Sequence, residues 1–365
     1  MTALSARLQQ RIRQDVRGMH AYAVQDASGL IKLDAMENPY GLPPALQAEL
    51  GQRLGRLALN RYPGARIHDL RDALARHAGM PAGHALMLGN GSDELISLLA
   101  MACDVPGASI LAPVPGFVMY AMSAQLQGLA FHGVPLTPDF ELDLPAMLAA
   151  IARHRPAITY LAYPNNPTAN LWDEQAMAQI IAAVAEQGGL VVLDEAYQPF
   201  AARSWLDRIR AQPQAHGHVL LMRTLSKFGL AGVRVGYLMG PAELVAELDK
   251  VRPPYNVSVL NAECALFALE HADVFAAQAA QIRADRAMLL EALAALPQVR
   301  VWPSEANMIL IRVPDAARAF AGMKARGVLV KNVSSLHPLL ANCLRLTVGT
   351  PQENERMLAA LKEAL

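Results

Sequence analysis

Cysteine is scarce: the 365 residues hold three, Cys103, Cys264 and Cys343, far apart and without a C-x-x-C pair. That spacing speaks against a disulfide framework and a cysteine zinc site, and fits a reducing cytoplasm. Net charge is missing as well. Lys and Arg number 32 and Asp and Glu 32, so no overall field draws the chain to nucleic acid or to an anionic membrane, and any anion must be gripped by a local cluster. Long apolar runs are interrupted: the stretch 180–193 carries Glu186 and glycines, and residues 1–18 are polar and amphipathic, without an apolar secretion signal. The 10 histidines show no H-E-x-x-H or comparable spacing, so no metal is expected. Neither G-x-G-x-x-G nor G-x-x-x-x-G-K-[ST] occurs, which removes support from dinucleotide and nucleoside-triphosphate binding. Neither internal repeats nor low-complexity tracts are found. What these absences leave is a small-molecule partner.

What is present is ample apolar material, 53% of the chain, enough to bury a sizeable core in two domains or in one with an appendage. Short apolar runs at 85–88, 109–112, 158–162, 190–193, 219–222 and 235–239 alternate with alanine-rich helical stretches, including 142–154 and 174–187. Such alternation reads as an α/β protein with a mostly parallel sheet covered on both faces. Past about residue 250 the pattern turns to long helical stretches at 262–281 and 284–296, followed by strands at 306–313, 328–330 and 343–348. The expected organisation is an N-terminal arm over 1–30, a large domain over 31–250 and a smaller α+β domain over 251–365, with Arg252-Pro253-Pro254 near the boundary.

Ligands of such sheets sit beyond the carboxyl ends of the strands, and there the chemistry-bearing residues gather. Lys227 follows the run 219–222 and precedes a glycine-containing turn. It is either a surface loop lysine or, if desolvated, an amine made nucleophilic by a lowered pKa and able to form a Schiff base. Its neighbours Thr224, Ser226 and Arg234 suit a phosphate dianion. So do Gly91, Ser92 and Asp93 at the start of a helical run, where free N–H groups and a positive helix end meet an anion; the alternative there is a capped helix. Asp194 ends an apolar strand, where its carboxylate needs either a cationic partner such as a pyridinium nitrogen or a structural ion pair. Tyr197 and Asn166 are placed to bond a phenolic oxygen on the same ring.

The segments Y-P-N-N-P-T at 163–168, D-E-A-Y at 194–197, T-L-S-K at 224–227, A-G-V-R-V-G at 231–236 and C-L-R-L-T-V-G at 343–349, in this order and spacing, resemble the fold type I pyridoxal-phosphate (PLP) aminotransferases over essentially the whole chain. The resemblance implies PLP carried by Lys227, with Asp194 on the ring nitrogen, Asn166 and Tyr197 on the ring oxygen, and Phe117 stacked on the ring. It also implies a homodimer in which Tyr62 reaches the cofactor phosphate of the partner subunit. Within the family, K-L-D-A-M-E-N-P-Y-G at 32–41, N-R-Y-P-G at 60–64, Glu-Ala-Asn at 305–307 and G-T-P-Q-E-N at 349–354 are most similar to the histidinol-phosphate aminotransferases. That likeness implies transamination between histidinol phosphate or imidazole-acetol phosphate and glutamate or 2-oxoglutarate, in histidine biosynthesis.

Arg345 is the first candidate for gripping a substrate anion, because a guanidinium holds carboxylate and phosphate alike. Tyr22 and Lys331 are further candidates for the substrate phosphate, and Asn307 for the carboxylate side. Three departures from the family pattern stand out: Ala169 replaces a usual glycine, Phe117 a usual tyrosine, and Lys331 a frequent arginine. The rival readings are an aromatic amino-acid aminotransferase, a PLP-dependent decarboxylase of a phosphorylated amino acid, and an amine-sensing regulator. The last lacks a basic DNA-binding segment here.

Overall fold

A computed structural model describes residues 10–19 and 25–365; Tyr22 lies outside the described residues. After a short strand β1 (Ile31–Lys32), seven strands build the main sheet: β2 (His84–Gly89), β3 (Ser109–Val114), β4 (Ala130–Pro135), β5 (Ile158–Ala162), β6 (Leu190–Asp194), β7 (Val219–Thr224) and β8 (Gly236–Pro241). Their order is β2-β8-β7-β6-β5-β3-β4. β8 runs against both neighbours, and the other pairs are parallel.

The central strands β5, β6 and β7 are buried almost throughout and largely apolar, because both faces are covered. Successive side chains of a strand point to opposite sides, and the core divides accordingly. Leu111, Leu161, Val191, Leu193 and Leu221 join one buried cluster, while Ile110, Tyr160, Val192, Leu220 and Met222 join the other. β4 escapes a sequence reading because it is the edge strand: its pattern is mostly exposed or half-buried, so it presents no continuous apolar run, and it ends on Pro135, a residue suited to an edge.

Register fixes where the site lies. Ala162 pairs with Asp194, Asp194 with Met222, Thr224 with Gly236, and Gly236 with Gly89. The carboxyl ends of β2, β5, β6 and β7 thus share one rim, the position at which open α/β sheets bind ligands.

The second layer system is antiparallel, β9 (Arg300–Val301), β10 (Met308–Arg312), β12 (Lys331–Asn332) and β13 (Cys343–Thr347) in the order β12-β13-β10-β9. A separate pair joins β1 to β11 (Val328–Leu329) in parallel. The G-T-P-Q-E-N segment proves to be helix-start chemistry. Thr350 and Glu353 form a reciprocal capping box for the helix Pro351–Ala364, with Pro351 in its first turn. Asn354 closes the turn by bonding both backbone groups of Gly349, at 2.9 and 3.0 Å.

Packing divides the chain differently from the boundaries read at 31 and 250. Residues 31–36 were read with the large domain, but β1 pairs with β11, and Leu33 and Met36 are buried in the cluster of the C-terminal sheet. Helix Val259–Glu270 was read with the small domain, yet Ala262, Ala265 and Leu266 share a core with Leu70 and Leu74. The divide falls along the next helix, Ala272–Ala294: Phe275 belongs to the large core, and Ile282, Leu289 and Leu293 to the small one. Periodicity shows that a helix has an apolar face but not which core it faces.

Candidate active site

Lys227 sits three residues beyond β7, in a tight turn that runs from Ser226 to Leu230. The turn depends on Gly229, whose φ of 140° is open to glycine, and a Cβ there would lie 2.9 Å from the Phe275 ring. The lysine Nζ donates to the Ala35 carbonyl at 3.0 Å. Burial pulls its pKa down to about 8, helped by the positive charge of Arg345. A fraction of the amine is therefore neutral near physiological pH, as a nucleophile requires.

Lys227 opens onto a cavity of about 550 Å³ lined by the rim of the main sheet and by Ala35, Met36 and Glu37 from the segment after β1. At one pole, helix Ser92–Ala102 starts at Gly91 with no side chain capping it, so its first N–H groups remain open to an anion. Gly236 lets this loop approach, since a Cβ there would be 2.6 Å from the Gly91 carbonyl carbon and the Ser92 nitrogen. Arg234 closes the pole, donating to Ser226 Oγ at 3.2 Å and facing Asp93 at 3.5 Å. Thr224 donates to the same Ser226 hydroxyl at 3.0 Å. The loop is braced from behind: Glu94 accepts from the Asn90 N–H and from Asn256 Nδ2, both at 2.6 Å.

At the opposite pole stands Asp194, 5% exposed. Its Oδ1 accepts from the Ala196 N–H at 3.0 Å and its Oδ2 from the Tyr120 hydroxyl at 2.6 Å. Among the described residues no cation lies within ion-pair reach of it. Burial raises the carboxyl to about 6, with the Tyr120 bond pulling the other way. Such a carboxylate suits a positive ring nitrogen. Tyr120, which sequence reasoning missed, is itself held by stacking on Tyr160, with ring centroids 4.2 Å apart. The signal was in P-G-F-V-M-Y: Phe117 caps the helix Val118–Gln127, so positions 117 and 120 fall on one face. Both line the cavity.

Asn166 and Tyr197 also line the cavity, and burial pushes the Tyr197 hydroxyl far above its usual range. Arg345 lies behind Asn166. Its Nη1 donates to Asn166 Oδ1 at 2.8 Å and its Nη2 to the Asp34 carbonyl at 2.7 Å. Lys331 is directly across from Arg345 on β12, which puts the two side chains on the same face of the sheet. Asn307 is placed elsewhere: 0% exposed, it donates to the backbone carbonyls of Met36 and Glu37 at 3.0 and 3.4 Å. Its amide nitrogen thus holds the segment that crosses the cavity, while its Oδ1 is buried without a partner among the described residues. Tyr62 is outside the cavity, 77% exposed and stacked on Tyr255 at 4.5 Å. Ala169 keeps the left-handed φ of 64° that favours glycine, with its methyl group buried among apolar neighbours.

The groups fit pyridoxal phosphate. The open helix start with Arg234 suits its phosphate, Asp194 its ring nitrogen, Asn166 and Tyr197 its ring oxygen, and Lys227 its aldehyde. No group of three metal-ligating side chains occurs among the described residues.

Comparison with known proteins agrees with this geometry. The profile of the family "Aminotransferase class I and II" matches residues 28–361. A histidinol-phosphate aminotransferase of Acidovorax sp. (strain JS42) is 72% identical over 368 residues, covering 100% of both chains. Another, from Methylibium petroleiphilum, is 72% identical over 362 residues, 99% of this chain and 96% of the relative. Among solved structures, the histidinol-phosphate aminotransferase of Sinorhizobium meliloti in complex with pyridoxal-5'-phosphate superposes with a TM-score of 0.82 at 26% identity, over 97% of each chain. The expected fold type I α/β class stands, and the chain belongs to the class I and II aminotransferases, within them to the histidinol-phosphate aminotransferase family.

Proposed function

We propose that this chain is a PLP-dependent aminotransferase that moves the amino group of histidinol phosphate to 2-oxoglutarate, giving imidazole-acetol phosphate and glutamate, or the reverse, in histidine biosynthesis. The observation that carries the reading is the meeting of Lys227, Asp194 and Arg234 in one cavity, in a chain 72% identical from end to end to a histidinol-phosphate aminotransferase.

Bound PLP supplies a protonated ring that draws electrons from the carbon bearing the amino group. The side chains do the rest. Asp194, desolvated and steadied by Tyr120, would keep that ring nitrogen protonated. Phe117 would lie against the ring, Asn166 and Tyr197 would hold its oxygen, and Ser92, Asp93, Thr224, Ser226 and Arg234 would hold the phosphate end. Lys227 would hold the cofactor aldehyde, and its amine is placed in the cavity to take and return the substrate's α-proton. One group serves as base and acid because its pKa lies near 8. Arg345 takes the substrate phosphate or carboxylate, exchanging its bond to the Asp34 carbonyl for a charge-assisted fork. Lys331, across the strand pair, adds a second positive charge on that side.

Steady-state amino transfer to 2-oxoglutarate tests this reading. Histidinol phosphate should exceed phenylalanine as donor in kcat/KM by at least about 10²-fold, the discrimination available when a site loses one charge-assisted contact and a ring hydrogen bond. Equal use of phenylalanine would make it an aromatic aminotransferase, and release of carbon dioxide from a phosphorylated amino acid would make it a decarboxylase.

The same proposal includes a homodimer. Tyr62 and Tyr255 form an exposed aromatic pair, with Leu59 and Leu260 also exposed, an apolar display suited to a second copy of the chain. Across such an interface Tyr62 would reach the partner's cofactor phosphate. Light scattering should return the mass of two 39.3 kDa chains, and a monomer mass with full activity would remove Tyr62 from the site. The cytoplasm is the compartment we assign, in keeping with the three free cysteines. No helix among the described residues is long and apolar enough to cross a membrane.

A further inference from the structure

An enzyme of this kind has to accept two unlike amino donors. Histidinol phosphate carries one anion and an imidazole, whereas glutamate carries two carboxylates. Some group in the cavity has to tell the ring from the second carboxylate. A positive group cannot do this in favour of the ring, but an acceptor of hydrogen bonds can, because imidazole offers an N–H and a carboxylate offers none.

Three carboxylates line the cavity: Glu37, Asp93 and Asp194. Asp194 is taken by Tyr120 and the Ala196 N–H, and Asp93 stands at the phosphate pole with Arg234. Glu37 is the third, paired with the partly exposed Lys32 and itself 44% exposed. It belongs to the segment that spans the mouth, where the Asp34 carbonyl accepts from Arg345 and the Ala35 carbonyl from Lys227. It therefore sits two residues beyond the carbonyl touched by the reactive amine, while Arg345 touches the carbonyl on the other side of that residue.

The backbone beneath it is pinned from several directions. Met36, at a φ of 52°, donates its N–H to Thr347 Oγ1 at 3.1 Å. Asn307 donates to the carbonyls of Met36 and Glu37. Asn38 donates to Gln278 Oε1 at 2.8 Å, on the helix that joins the two cores. The backbone is fixed while the Glu37 side chain stays 44% exposed, as an incoming ligand requires. Lys32 pairs with the Glu37 carboxylate.

We propose that Glu37 is a specificity-determining residue that accepts a hydrogen bond from the imidazole N–H of the phosphorylated donor and repels the second carboxylate of glutamate. The inference rests on the functional reading above and adds the group that recognises the ring. The pair of Glu37 and Arg345 then reads the two ends of the substrate, with Lys227 between them.

The test compares native holoenzyme with Glu37→Gln on three donors: histidinol phosphate, glutamate, and 2-amino-3-phenylpropyl phosphate, which keeps the phosphate and a flat ring but has no ring N–H. Glutamine preserves the shape and removes the charge. The kcat/KM ratio of histidinol phosphate to the phenyl analogue should fall at least ~10-fold, the loss that accompanies a hydrogen bond to a charged acceptor. The glutamate value should hold or rise. A general loss of folding or cofactor lowers all three values together and leaves the ratio intact, so an unchanged ratio overturns the role of Glu37. If the native enzyme fails to use histidinol phosphate at all, the functional reading falls first, and the proposal with it.

Discussion

Replacing Lys227 by alanine should lower amino transfer by at least about 10⁴-fold, because one side chain supplies both the nucleophile and the proton shuttle. The loss should appear in kcat rather than in the affinity for cofactor phosphate, since Arg234, Ser226 and the Gly91 loop do not depend on the lysine amine. Fluorescence titration with pyridoxal phosphate checks this: Lys227→Ala should still bind it reversibly, and borohydride should attach it covalently to the native chain alone. The native capture rate should climb as pH rises through about 8, where the buried ammonium gives up its proton. Covalent attachment of the cofactor to Lys227→Ala at the native rate would mean that another amine carries it.

The second large effect belongs to Asp194 and has opposite signs in two measurements. Asp194→Asn should reduce turnover by about 10²–10³-fold or more, because a neutral amide leaves the ring nitrogen without its counter-ion. The same change should stabilise the cofactor-free protein above pH 6. The native carboxyl is raised from its ordinary 3.8 to about 6 by burial. Below pH 4 it is protonated whether folded or unfolded, and no penalty arises. As pH rises from 4 to 6 the unfolded chain releases the proton while the folded chain retains it, and stability falls. Above 6 the folded protein carries a buried, unpaired carboxylate, a penalty of about 3 kcal/mol. Asparagine still accepts from Tyr120 and escapes that penalty. Thermal denaturation of the cofactor-free proteins should therefore give equal midpoints near pH 4 and a higher midpoint for Asp194→Asn at pH 7.5, with the gap closed or reversed once cofactor is bound. A mutant less stable than the native chain at pH 7.5 without cofactor would show that Asp194 has a compensating partner.

How much of this was legible beforehand differs from residue to residue. Asp194 and Lys227 could be found because each places a charge at the end of an apolar run, and burial of a charge demands an explanation. The central strands were legible for a related reason: with both faces covered, β5, β6 and β7 show no polar alternation. β4 was not, since its outer edge meets solvent. The segment 34–37 carries no such signal. Its contribution comes from backbone carbonyls, which every residue has, and tertiary contacts, among them β1 pairing with β11, the Met36 N–H on Thr347 and the grip of Asn307, bring Asp34 over Arg345 and Ala35 over Lys227. Asn307 shows what a sequence cannot: its Nδ2 is tied to the backbone carbonyls of Met36 and Glu37, a bond that only the fold brings about. A single helix, Ala272–Ala294, serves two clusters in turn, which periodicity cannot show.

The most direct test of the central claim is the visible absorption spectrum of the purified chain loaded with pyridoxal phosphate, recorded before and after one equivalent of histidinol phosphate, with phenylalanine and Lys227→Ala as controls. The account predicts a lysine-dependent band that histidinol phosphate discharges and 2-oxoglutarate restores, while phenylalanine leaves it largely in place. A band that histidinol phosphate does not alter would contradict the proposed reaction, and absence of any lysine-dependent band would contradict the assignment of Lys227 itself.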